Sequence, residues 1–335
     1  MRVFVLAFAT LWATPAALAQ ENATADPVDP VEQQLETVVV SGIQPGPGLW
    51  RVFKGDHEMW VLGTLAPLPK RMDWAADETR LVIRQSQEVL LSPTGKLGTN
   101  IGFFRGLTLL PSAMGARKNP DKQKLADLLP AELYARWRLL KRQYLGRSNR
   151  IEKRRPLLAA NKLFEKALSR SGLTTKNLVE PEVRRAAKRA KVTVTVPMIE
   201  IMIEDPKQAI KDFAASELAD IECFEQTLDR LETDLGTMVE RANAWAVGDV
   251  QELQALPFVD QRRSCADALL NASVMQDRGL GDLRTRLANE WLTAAETALT
   301  NNTSTFAVLP IEQILKSDGY IATLRDRGYT VEPPK

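Results

Sequence analysis

Between residues 50 and 91 three short apolar runs and one stretch of helical spacing follow one another, and their order limits the fold more than any other feature of the chain. Residues 50–53 (Trp-Arg-Val-Phe) and 59–65 (Met-Trp-Val-Leu-Gly-Thr-Leu) are β-branched and aromatic in character, with the polar Lys54-Gly55-Asp56-His57 between them. Such a pair reads as a β-hairpin. Residues 74–87 carry apolar side chains at helical spacing, and Glu88-Val89-Leu90-Leu91 reads as a buried strand ended by Ser92-Pro93. Two strands, a helix and a third strand predict a mixed α/β (α+β) fold with a mixed β-sheet core and flanking helices.

Residues 121–305 read as almost entirely helical, adding a large helical region to that core. Leu133, Trp137, Leu140 and Tyr144 fall on one helix face, flanked by Arg136, Arg138, Lys141 and Arg142. A longer pattern, Ile221, Phe224, Leu228, Leu231, Leu235, Met238, Ala242 and Trp245, alternates steps of three and four. It predicts helices packing within the chain, hence a monomer, with dimerisation through that face as the alternative. Gly248-Asp249 then supplies a C-cap followed by an N-cap.

Residues 1–19 read as a cleavable export signal: Met1-Arg2, an apolar run over 3–13, and Ala17-Leu18-Ala19 before Gln20. An apolar run of about eleven residues falls short of the roughly 17–25 that a spanning helix requires, and no later segment is longer, so no transmembrane anchor is expected. Residues 20–48 hold five acidic side chains, no Lys or Arg, and prolines at 27, 30, 45 and 47. This composition predicts a solvated linker interrupted by Val38-Val39-Val40, which could add one edge strand. A single folded domain is expected over 49–332. Export to the periplasm or beyond makes a Cys223–Cys265 disulfide the expected state of the two cysteines, the alternative being two separately buried thiols.

One histidine among 335 residues narrows the chemistry sharply. An all-side-chain zinc site would consume both cysteines, His57 and a carboxylate, so neither a metal nor another cofactor is expected. His57 itself sits in the hairpin turn and reads as an exposed turn residue. The formal charge is only +2, and the basic residues are not interleaved with aromatics, so nucleic acid is not an expected partner. The charge is nonetheless segregated. Residues 117–191 hold 22 basic against 7 acidic side chains, whereas residues 200–300 hold 9 against 20. Two layers of opposite sign facing each other explain this best, with a basic face for an anionic glycan or lipid headgroup as the alternative. Glu200, Glu204 and Asp205 read as a solvated helix start rather than an acidic site.

Leu49-Trp50-Arg51-Val52 and Trp60-Val61-Leu62-Gly63-Thr64-Leu65 resemble the opening of the TraB/GumN family, whose relatives include Tiki-type peptidases. The likeness continues through Leu125-Ala126-Asp127-Leu128-Leu129-Pro130, residues 245–249, Asp318-Gly319-Tyr320 and Gly328-Tyr329-Thr330-Val331, in family order. The resemblance implies a catalytic constellation of two Gly-x-x-His motifs and a glutamate, suited to holding a metal that activates water. In this sequence the first motif corresponds to Gly63-Thr64-Leu65-Ala66, the glutamate position to Ser92, and the second motif to Pro310-Ile311-Glu312-Gln313. Ala66, Ser92 and Gln313 thus stand at the positions of the expected ligands, and none is a good ligand for a catalytic divalent ion. The resemblance therefore implies a degenerate member acting by binding in the cell envelope, its partner an envelope glycan linked to exopolysaccharide or a protein serving it. Gly63, Thr64, Ala66, Glu88, Ser92, Glu312 and Gln313 are its candidate cleft residues. The alternative is a divergent hydrolase using carboxylates such as Glu88 or Glu312, which requires those side chains to converge.

Overall fold

The computed structural model describes residues 43–215, 220–257, 265 and 273–334. The expected export signal, most of the acidic linker and the strand at Val38-Val39-Val40 lie outside them. In chain order the strands are β1 (Leu49–Lys54), β2 (His57–Thr64), β3 (Leu68–Pro69), β4 (Glu88–Leu90), β5 (Thr94–Thr99), β6 (Leu173–Thr174), β7 (Thr193–Thr195), β8 (Met198–Ile203), β9 (Ser304–Pro310) and β10 (Thr330–Glu332). The described helices are α1 (Asp77–Gln85), α2 (Phe103–Gly115), α3 (Leu125–Leu128), α4 (Ala131–Tyr144), α5 (Pro156–Arg170), α6 (Glu180–Ala190) and α7 (Pro206–Ala215). They continue with α8 (Asp220–Thr233), α9 (Leu235–Val247), α10 (Val250–Ala255), α11 (Ser273–Gln276), α12 (Leu283–Asn301), α13 (Ile311–Leu315) and α14 (Tyr320–Asp326).

The hairpin forms as its sequence dictates, with β1 and β2 antiparallel from Leu49 opposite Leu62 to Lys54 opposite His57. Gly55 takes the left-handed φ of +66° at the turn, where its missing side chain removes the steric cost. The central sheet has the order β10-β1-β2-β9-β4-β7. β10, β1 and β2 are antiparallel, while β2, β9, β4 and β7 run parallel. The sheet is therefore mixed, as expected. β9 carries the unbroken run Phe306-Ala307-Val308-Leu309, every residue buried. A parallel strand covered on both faces requires such a run, because neither face meets water.

The helical reading of residues 121–305 needs correction at β6, β7 and β8. Val192-Thr193-Val194-Thr195-Val196 is β-branched throughout, and β7 extends because the edge of β4 offers it a partner: Glu88 pairs with Thr193 and Leu90 with Thr195. β8 pairs in parallel with β5 as a separate two-stranded ribbon. The last residues of the expected linker are also not solvated. Gly46 and Pro47 are buried, Gly46 N donates to Ala246 O at 2.8 Å, and Gln44 is hydrogen-bonded to the chain around Trp74.

The long apolar pattern is carried by two helices. It breaks at Asp234 (φ −114°, ψ 1°), between α8 and α9. Phe224, Leu228, Leu231, Leu235, Met238, Ala242 and Trp245 are buried within the chain, whereas Ile221, the first residue of the expected pattern, is exposed. α5 packs against α8, and Ala159, Ala160 and Ala167 of α5 are buried. The Trp137 and Phe224 rings meet at 5.1 Å between α4 and α8.

The opposite charges of the two halves meet here. Arg136 reaches Asp229 at 2.5 Å and Glu232 at 2.7 Å, and the buried Arg155 binds Asp220 at 2.8 Å. Burial pushes the Asp220 carboxyl above its ordinary range, even against the hydrogen bond and charge of Arg155.

Cys223 and Cys265 form a disulfide with their α-carbons 5.0 Å apart. In the chain-entropy account, closing a loop of this size stabilises by about 4 kcal/mol. Cys223→Ser with Cys265→Ser is expected to lower the unfolding free energy by about 2–4 kcal/mol, measured by denaturant titration under non-reducing conditions.

A second prediction concerns the clamp between α1 and α6. Glu182 accepts from Arg80 Nε at 2.8 Å and from Arg185 at 2.6 Å. Burial raises its carboxyl pKa, but the two hydrogen bonds outweigh this and hold it below the ordinary 4.5. A depressed folded-state pKa gives stability that is present above the unfolded value and lost as pH falls through the folded one. Glu182→Gln should therefore cost about 1 kcal/mol at neutral pH. The gap from wild type should close in acid below pH 4.5, as read from thermal melts across the pH range.

Candidate functional site

The carboxyl ends of β2, β9 and β4 lie side by side, since Thr64 pairs with Pro310 and Leu90 with Ala307. Residues following these strands must emerge at one edge of the sheet, the usual position for ligands in parallel sheets. Ser92 leaves β4 there, and Pro310 ends β9 and opens α13, which carries Glu312 and Gln313. A cleft of about 520 Å³ forms at this edge. Its walls include Ser92, Pro310, Glu312 and Gln313, together with Arg284 from the first turn of α12, and Asp318 and Tyr320 from the bend between α13 and α14.

Gly63, Thr64 and Ala66 sit at the same edge on the β2 side, outside the walls of this cleft. Gly63 is buried under Ile311 and its carbonyl accepts from Trp245 Nε1 at 2.9 Å. A β-carbon on Gly63 would stand 2.4 Å from Ile311 Cδ1, so a side chain there would push the Ile311 side chain aside. Ala66 is exposed just beyond the strand. Glu88 belongs to the opposite end of β4, where it accepts from Asn302 Nδ2 at 2.9 Å. Four residues of extended chain, about 13 Å, separate it from Ser92. Glu88 and Glu312 therefore do not converge.

The single histidine lies at that opposite edge too. His57 Nδ1 donates to the Asn302 carbonyl at 2.7 Å, so the half-buried ring ties the hairpin to the start of β9. Asp205 accepts from Gln208 N at 2.9 Å at the start of α7, a capping role that suits the helix-start reading, whereas Glu200 departs from it and lies within β8, opposite Lys96.

The chemistry open to the cleft follows from its hydrogen bonds. Ser92 Oγ donates to Val308 O at 3.0 Å and Thr64 Oγ1 to Leu309 O at 3.3 Å, so both hydroxyl protons fasten strand ends. A nucleophilic serine needs its proton directed at a base instead. The Glu312 carboxylate is buried and paired with Lys316. Ala66 offers no donor atom, and the neutral Ser92 and Gln313 do not replace imidazole or carboxylate. Among the described residues no three His, Cys, Asp or Glu side chains group closely enough to hold an ion. The donor set thus does not fit a water-activating divalent metal. What the cleft presents is an amide, a guanidinium, a carboxylate and an aromatic ring, the last stacked on Trp291 at 5.3 Å. Such groups orient a polar ligand by hydrogen bonds.

Arg284 was outside the expected site because nothing local marks it, and Asp318 and Tyr320 stood only as parts of a family landmark: α12 and the α13–α14 bend reach the cleft through tertiary packing. Gly319 explains the Asp-Gly-Tyr landmark. A β-carbon there would stand 2.4 Å from the Gln313 carbonyl oxygen, which is backbone and cannot swing aside. Gly319→Ala should destabilise by about 1–3 kcal/mol through overpacking. Gly236→Ala, in α9 with open space around it, should be neutral to stabilising. Denaturant midpoints of the two variants check the contrast.

The chain matches the TraB/PrgY/gumN family model over residues 48–333. Comparisons with curated proteins and with solved structures return no match. With the match spanning both the sheet and the helical layer, the chain belongs to the TraB/PrgY/gumN family.

Proposed function

We propose that this protein is an exported, non-hydrolytic member of its family that binds a polar ligand at the carboxyl edge of the central sheet. The observation that carries the reading is the engagement of the cleft's own groups, the Ser92 hydroxyl on Val308 and the Glu312 carboxylate on Lys316, beside an alanine at position 66 on the same sheet edge. None of them is poised to activate water. Other groups that line the cleft, among them Arg284, Gln313, Asp318 and Tyr320, suit the hydroxyl-rich surface of an envelope glycan, or a protein that serves it. Export is supported by the Cys223–Cys265 bridge, since disulfides persist in oxidising compartments. No helix among the described residues is long and apolar enough to cross a membrane.

The test is a hydrolysis screen on chelator-treated protein supplemented in turn with zinc, manganese and cobalt, beside calorimetric titration with acidic and neutral exopolysaccharide fragments. The expected outcome is no metal-dependent cleavage of peptides, with saturable glycan binding that Gln313→Ala weakens about tenfold, the loss of one or two hydrogen bonds. Cleavage that a chelator abolishes and added metal restores would overturn the proposal.

A further inference from the structure

α2 is built inside out. Gly106, Leu109 and Ala113 are half-buried on the side that docks the helix beside α7. Phe104 (82%), Leu107 (45%), Leu110 (55%) and Met114 (52%) are exposed. At 100° per residue these four positions occupy about one third of the circumference, so the large apolar side chains form one outward stripe. Exposed apolar surface on this scale marks an interaction site.

The stripe runs directly into a cluster of cations. Met114 is also a wall of an open cleft of about 540 Å³ whose other walls include Lys118, Arg150, Lys153 and Arg154. The backbone forces two of these together: Lys118 and Arg154 are partners in an antiparallel bridge, fixed by Asn119 N to Lys153 O at 3.1 Å and Arg155 N to Arg117 O at 3.2 Å. Like charges directly opposite are unfavourable. No carboxylate among the described residues forms an ion pair with any of the four. By contrast Arg136 and Arg155, in the same half of the chain, each have an acidic partner. Residues 89–120, which contain α2, hold four Lys or Arg and no Asp or Glu.

We propose that the outward face of α2 and the adjoining Lys118–Arg154 cluster form a docking surface for a bilayer containing anionic phospholipid. The apolar stripe enters the acyl boundary, and the cations at its end meet the phosphates, the combination by which interfacial helices bind. A second copy of the chain suits the surface less well, because a two-fold pairing of the same face offers the cations no acidic partner: residues 89–120 contain no Asp or Glu. This inference is independent of the cleft at the sheet edge.

The test is vesicle flotation with the full chain, comparing phosphatidylcholine alone with phosphatidylcholine containing phosphatidylglycerol. The wild type is expected to float with the anionic vesicles only, less so as salt is raised. Lys118→Gln with Arg150→Gln and Arg154→Gln should weaken partitioning about a hundredfold. Phe104→Ser with Leu107→Ser should weaken it about tenfold, with circular dichroism confirming that both variants stay folded. The salt dependence of the wild type stands as evidence should a variant misfold. The proposal is overturned by failure to float with anionic vesicles, by equal flotation with neutral ones, or by folded variants of both kinds that still float. It is equally overturned if the cluster takes inorganic phosphate, or if Phe104→Ser with Leu107→Ser dissolves a dimer, while the wild type ignores vesicles.

Discussion

Everything else in the molecule hangs on the parallel pairing of β9 with β2 on one side and β4 on the other. These neighbours lie more than two hundred residues upstream, so the chain must complete its helical layer before the strand that joins the two ends of the sheet arrives. Loop-closure entropy makes such pairings slow to form and dependent on strong burial once made. The burial is there: Phe306, Ala307 and Leu309 are inaccessible, with Val61, Leu62, Val89 and Leu90 beside them. Helices α1 and α12 pack on the same strand.

The helical layer is held by a different balance. Its two halves carry opposite charge, and where they meet the partners are fixed in geometry: Arg155 is buried on Asp220 and also donates to the Phe213 carbonyl at 2.7 Å. A buried pair of this kind adds little net stability over apolar packing, but removing one partner leaves a charge without solvent. Its effect is therefore to fix the alignment of α5 and α8. Lys141, Glu152 and Trp137 form a similar group at the other end of α4, with Trp137 Nε1 donating to Glu152 at 3.1 Å. Arg136 and Arg155 match part of the charge segregation visible along the chain, whereas the cations around Lys118 and Arg154 pair with no carboxylate among the described residues.

Several family landmarks prove to be structural. Trp245 hydrogen-bonds the Gly63 carbonyl, and Gly248 caps α9 with a φ of +75° while standing close to the Gly46 carbonyl. Asp127 accepts from Lys124 N at 2.8 Å and starts α3. Of these, Trp245 connects the helical layer to the sheet edge on which the cleft forms. The architecture of the edge is thus intact although the side chains it displays are alanine, a bonded serine and a glutamine.

Local sequence was enough to determine the hairpin, the helix after it, the strand at Glu88–Leu90 and the apolar faces of α4, α8 and α9. Turn chemistry, β-branching and helical periodicity act over a few residues and need no partner to be recognised. The pairing of the two cysteines and the absence of histidine at the motif positions were equally legible. β7 was not, because five β-branched or apolar residues become a strand only where an open edge accepts them, and β4 supplies that edge from a hundred residues away. The cleft followed the same rule. Ser92 and Gln313 could be placed by motif, but Arg284 reaches it from a helix whose own sequence says nothing of a site, and the landmark at Tyr320 did not say that its ring lines the cleft. Glu88, near Ser92 in sequence, was carried to the far end of its strand by the extension of the chain itself. Local propensities determined the elements, and burial between distant elements decided which side chains share a surface.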